Sequence, residues 1–198
     1  MRVGLGFWSG MSTFRQRSGG LLAELPIRIE NRKEKFAMVV LKKVTLQYIE
    51  IEDRIRMSAD VLGGDSAVFW LTQRMCRMLV PKLVHHLEHS VQQSVLIDKG
   101  LMLSVQQHDA EWHQQPSEPV RICGLARSVL PGQVDLHCPA GGASIIFPLD
   151  VGGDRARLQM NMVELRQWMG VVYRQFRVAG WSMEVWPKWF ALSEPGKN

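Results

Sequence analysis

The chain has 198 residues, 46% of them hydrophobic and 22% charged, with a net charge of +5. A chain of this length buries about 70% of the surface its unfolded form exposes, so its core needs neither disulfides nor a structural metal. No apolar run approaches the roughly 18 residues of a membrane span, and the N-terminus lacks the apolar stretch of a signal peptide. Three widely spaced cysteines, Cys76, Cys123 and Cys138, fit reduced thiols, so the expected location is cytoplasmic, away from membranes.

The positive charge is not spread evenly. Residues 1–37 carry seven basic and three acidic side chains; the other 161 residues carry 17 basic and 16 acidic ones. A basic groove on the body therefore does not follow from the overall pI. Residues 1–37 have weak periodicity and are expected to be a flexible basic leader, or to precede the true start at Met38. If they bind anything, phosphates of a nucleic acid fit best.

From Met38 a single α+β domain is expected over 38–198. Val44, Leu46 and Tyr48 alternate with polar residues, as do Ile55, Met57, Ala59 and Val61. Glu52-Asp53 and Gly63-Gly64-Asp65 interrupt them, and Ala67 to Leu71 is a short apolar run. This period-two pattern predicts antiparallel strands joined as a meander. Thr72 can cap a helix to about Gln93 with Met75, Leu79, Leu83 and Leu87 on one stripe, which Pro81 should kink or split. Leu96 to Trp112 suits a helix less decisively, and Gln114 to Pro119 reads as a linker.

Strand text returns at Val120 and Ile122, then at Val134, Leu136 and Cys138. Residues Ser144 to Leu149 follow a Gly-Gly turn. Ala156, Leu158 and Met160 alternate with Arg155, Arg157 and Gln159, and Asn161 with Glu164 forms a capping box. The helix it opens buries Leu165, Trp168, Met169, Val172 and Phe176 and stops at Gly180. Trp181 to Trp186 reads as a last strand. The predicted architecture is thus antiparallel meanders packed on two main helices. Two halves, 38–112 and 118–190, echo each other in strand and turn order.

Of the chemical motifs, His85, Glu88 and His89 are the sharpest. They spell H-x-x-E-H, which resembles the local pattern of the inverted zincin metallopeptidases. The resemblance implies zinc on His85 and His89, catalytic work for Glu88, and Glu164 as the third ligand. Its surroundings depart from the pattern, with no glycine before His85 and Ser90-Val91-Gln92-Gln93 after His89. A solvated helix face accounts for the same residues, and Glu164 already serves the capping box. The Gly-Gly turns lack phosphate-loop spacing, and Cys138 alternates with core positions as a buried small hydrophobe would.

Seven tryptophans against two tyrosines are the least ordinary feature. Strand phase puts Trp181 inward and Trp186 outward, so Trp186, Trp189 and Phe190 are expected to form an exposed contact surface for a protein partner or a second copy. The preferred function is a non-enzymatic protein-binding or assembly module that needs no cofactor. A zinc hydrolase and a nucleic-acid binder acting through the leader are the alternatives.

Overall fold

A computed structural model describes residues 37–91, 98–122, 126–149 and 153–191. The leader up to residue 36 and Cys123 lie outside the described residues. Seven strands form one sheet: β1 (Met38–Ile49), β2 (Arg54–Val61), β3 (Ser66–Thr72), β4 (Arg127–Val129), β5 (Asp135–His137), β6 (Gly142–Pro148) and β7 (Arg155–Asn161). Helices α1 (Gln73–Ser90), α2 (Lys99–Trp112), α3 (Met162–Ala179) and the short α4 (Lys188–Ala191) complete the chain. Among the described residues no helix is long and apolar enough to cross a membrane.

The strand order is β4-β3-β2-β1-β7-β6-β5. β1, β2 and β3 pair antiparallel, as do β5, β6 and β7. The sheet is nevertheless mixed, because β1 pairs with β7 and β3 with β4 in parallel. A pure antiparallel meander is therefore not what forms. Each parallel pair joins strands far apart in sequence, and turn residues carry no information about such pairs.

One extra residue resolves an apparent conflict in β1. Leu41 pairs with Val61 and Lys43 with Asp60, so Lys42 is a bulge. It shifts the inward phase from the odd position Leu41 to the even positions Val44, Leu46 and Tyr48. All four then face the same side as Ile55, Met57 and Ala59.

That face is concave. Flat, β3 and β6 would lie about 19 Å apart, four inter-strand steps of about 4.8 Å. Yet the rings of Phe69 on β3 and Phe147 on β6 meet with centroids 4.8 Å apart. The two sheet edges are also tied together. Tracing directions from β1, strands β4 and β5 run the same way, and only residues 130–134 separate them. They are the two ends of one bent segment, the first laddered to β3 and the second to β6. The curl lets a single core collect the inward residues of β2, β3, β6 and β7 with the apolar stripes of α1 and α3.

Local signals place the helices. Thr72 caps α1 through its hydroxyl, which accepts from Met75 N–H. Asn161 and Glu164 form the expected capping box, and Gly180 ends α3 in the left-handed region at φ 65°. Pro81 does not break α1. Arg77, whose carbonyl loses its donor there, is exposed like Pro81, so water can satisfy it. His86 tethers α1 to the sheet, its Nε2–H donating to Gly142 O at 2.9 Å. Gly142 itself has no room for a side chain, since a Cβ would sit 2.0 Å from Met160 O.

A third sizeable helix, α2, joins the two that were expected, and its contact with α3 is polar. Gln107, fully buried, donates to Arg166 O at 2.8 Å and Glu111 Oε1 at 2.6 Å. Glu111 also accepts from Arg174 at 3.1 Å, and Gln167 donates to Ala110 O. Arg166 is 5% exposed and bonds Gln106, while its Nη1 and the Oε1 of Gln107 find no partner among the described residues. Burial pushes the Arg166 guanidinium down to about 10.

The C-terminal segment corrects the largest expectation. Residues Trp181 to Pro187 form no strand; Trp186 N–H turns back to Met183 O, and α4 follows. Strand phase therefore does not apply, and Trp186, Trp189 and Phe190 are only 8%, 6% and 1% exposed. Trp186 meets Tyr173 and Phe176 edge-on, and Phe190 lies tilted against Tyr173 and Trp186. Trp189 donates to Glu88 Oε1 at 2.9 Å. The chain's own helices use the surface that was expected to serve a partner.

At the start of this segment, Trp181 Nε1 and the Tyr48 hydroxyl both donate to Asp53 Oδ1, at 2.8 and 2.9 Å. Asp53 sits in the left-handed region at φ 46°, which Asp tolerates better than most residues.

Two measurements check this packing. Trp186→Ala should cost about 3 kcal/mol or more in denaturant unfolding while leaving the sedimentation mass unchanged; a smaller species with unaltered stability would restore the exposed-surface expectation. The hydrogen bond from Trp181, then that from Tyr48, hold the Asp53 carboxyl below its usual range. Its contribution is therefore complete above the unfolded value of about 4 and disappears as pH falls through the lower folded value. Asp53→Asn should flatten the fall of the thermal midpoint below about pH 4.

Candidate functional site

An open cleft of about 1100 Å³ lies between α1 and the segment Leu130–Cys138. One wall is a face of α1 about four turns long. Met75, Met78, Leu79, Lys82, His85, His86 and His89 recur at three- and four-residue spacing, with Thr72 and Arg74 at the helix start. The opposite wall is the bent segment that joins β4 to β5, supplying Leu130, Pro131, Val134, Asp135, Leu136 and Cys138. The cleft is thus a product of the curl: it lies along the seam where the sheet edges approach each other.

Its chemistry is apolar with a cationic rim. Met78 is 61% exposed and Leu130 51%, an unusual share for such side chains inside a concavity. Thioether side chains adapt to irregular surfaces, and two of the cleft's apolar residues are methionines. Arg74 and Lys82 make no ion pair among the described residues. Asp135, the one acid in the lining, is engaged by Arg155 at 2.6 Å.

The histidines fall into two groups. His86 points inward to Gly142, as described. His85 and His89 stack with ring centroids 3.8 Å apart, and His89 Nδ1–H donates to the His85 carbonyl at 2.8 Å. That bond leaves His89 Nε2 as the ring's free nitrogen. Glu88 is turned to Trp189 and does not line the cleft, and Glu164 is held by the capping box at the start of α3. The H-x-x-E-H residues are therefore not brought together as a zinc centre. Among the described residues no group of three His, Cys, Asp or Glu is placed to hold a metal ion.

The two described cysteines differ. Cys76 is buried on α1, and burial pushes its thiol up to about 12, so it is a packing residue. Cys138 is exposed at the mouth of the cleft, correcting the expectation that it is a core position. Partial burial of its sulfur raises the thiol above the ordinary range, so it is not an activated nucleophile.

The sequence reading did not find this cleft. Met78, Lys82 and the 130–138 wall lie dozens of residues apart, and only the curled sheet sets them face to face. The exposed Met78 beside the buried stripe was the one local signal. No family model, curated protein or solved structure matches the chain.

Replacing both His85 and His89 by Ala should change stability by no more than about 0.5 kcal/mol, because both side chains are exposed. Purified protein should carry no stoichiometric zinc by elemental analysis. Zinc bound one to one and lost in the double variant would restore the metallopeptidase reading.

Proposed function

We propose that this chain is a non-enzymatic protein-binding module whose α1 cleft takes an acidic, partly apolar segment of a partner protein. The observation that carries the reading is the pairing of exposed apolar residues, Met78 and Leu130, with the cations Arg74 and Lys82, which make no ion pair among the described residues, around one concavity. Apolar area supplies affinity, and the cations select a partner of opposite sign. The chain's own residues 1–37 carry an excess of basic side chains and so repel the rim rather than complement it. A nucleic acid fits less well, because the lining contains no Trp, Tyr or Phe on which bases could stack.

Panning a random peptide library on the purified protein tests the reading. Enriched peptides should combine Asp or Glu with large apolar residues and should bind more weakly as salt is raised. Met78→Asp and Lys82→Glu should each weaken binding about tenfold or more, a loss of about 1.4 kcal/mol, while leaving the thermal midpoint in place. Basic or neutral consensus peptides, or binding indifferent to both substitutions, would remove the cleft from consideration.

A further inference from the structure

We infer that the partner segment binds in extended form, as a strand added to the free edge of β5; this rests on the cleft being the binding site. β5 ends the sheet, and its ladder is to β6 alone: Asp135 to Ile146, Leu136 to Ile145 and His137 to Ser144. Alternate residues of an edge strand turn their N–H and C=O away from the sheet. No backbone bond from residues 135–137 runs outward among the described residues. These groups lie on the cleft side, because Val134, Asp135, Leu136 and Cys138 all line it.

The opposite edge leaves the same opening. β4 ladders to β3 only at Ala67–Phe69, so Trp70 to Thr72 have no strand partner on that side, and Thr72 reaches the cleft. β3 and β5 run in the same direction, so an entering strand antiparallel to β5 is also antiparallel to the end of β3. Edges of this kind are normally blunted by a covering element or a charge pointing inward. Here Asp135 is drawn to Arg155 in place of guarding the edge.

A strand in this slot presents alternate residues to one face. The set facing α1 meets Met78 and Leu79 between Arg74 and Lys82, so acidic, apolar and acidic residues should follow one another at every second position of the bound segment. A helical ligand would instead space its anchors at three and four. The length of the β5 edge limits the ladder to about three to five residues.

Hydrogen exchange of the full chain, with and without the tightest panned peptide, separates the modes. Protection of at least one amide among Asp135, Leu136 and His137 should rise about tenfold or more on binding. N-methylating the peptide at every second residue should weaken binding about tenfold in one phase and little in the other. A peptide that Met78→Asp displaces, but that leaves those amides unprotected and shows no two-residue N-methyl pattern, would overturn the strand mode and keep the cleft. Peptides that bind without regard to Met78, or a library yielding no cleft-dependent peptide, would overturn both.

Discussion

The contact between Phe69 and Phe147 marks the constraint on which the other features rest, because it exists only if the seven-stranded sheet curls until its edges approach each other. Strands far apart in the order bring their inward residues to one small volume, and that volume is the core. Closure also decides what the helices do. A flat sheet of this width would need a full helical layer on its apolar face, whereas a curled one needs cover only at its openings. α3 packs against β1, β7 and β6, α1 follows β3 along the seam, and the C-terminal aromatics pack around α3. The Lys42 bulge belongs to the same logic, since it changes the inward phase of β1 where its partners change from β7 to β2.

Features set by neighbours in sequence were legible from the sequence. The alternation at Val44–Tyr48 and Ile55–Val61, the Gly63-Gly64 turn, the Thr72 cap and the Asn161–Glu164 box all involve residues within six positions of each other. They formed as read. Parallel pairing of β1 with β7 joins positions over a hundred residues apart, and nothing local encodes it. Pro81 does not split α1, because the carbonyl it orphans, on Arg77, lies on the exposed helix face where water can reach it. The tail misled because period-two arithmetic assumes an extended backbone, and Trp181–Pro187 turns instead.

The candidate site was less legible than the fold. His85 and His89 were noticed for a motif in which Glu88 had to join them, but Glu88 bonds the indole of Trp189. The same two histidines do line a cleft, for reasons the motif did not contain. Aromatic residues were expected to mark the binding surface, since they commonly do; here they fill the interior, and the exposed apolar residues are Met78 and Leu130. Composition alone could not separate the two arrangements. What separates them is the seam, which has on one side a helix with a sparsely covered face and on the other an edge strand of three residues.

The polar seat of α2 has a consequence for how the molecule comes apart. Most elements are held by apolar contacts that water does not replace, but α2 meets α3 through amide, guanidinium and carboxylate groups that water can solvate equally well. Two of those groups, Arg166 Nη1 and Gln107 Oε1, are unpaired in the docked state and would gain partners on release. Outward, α2 shows Leu101, Val105 and Trp112 to solvent, while Leu103 and Ala110 are its buried apolar residues. Release of α2 would therefore be favoured by those unpaired polar groups and opposed by Leu103 and Ala110, as a local opening distinct from global unfolding. Gly170 is where that event would register: its missing side chain leaves the space that the Glu111 carboxylate occupies while α2 is seated.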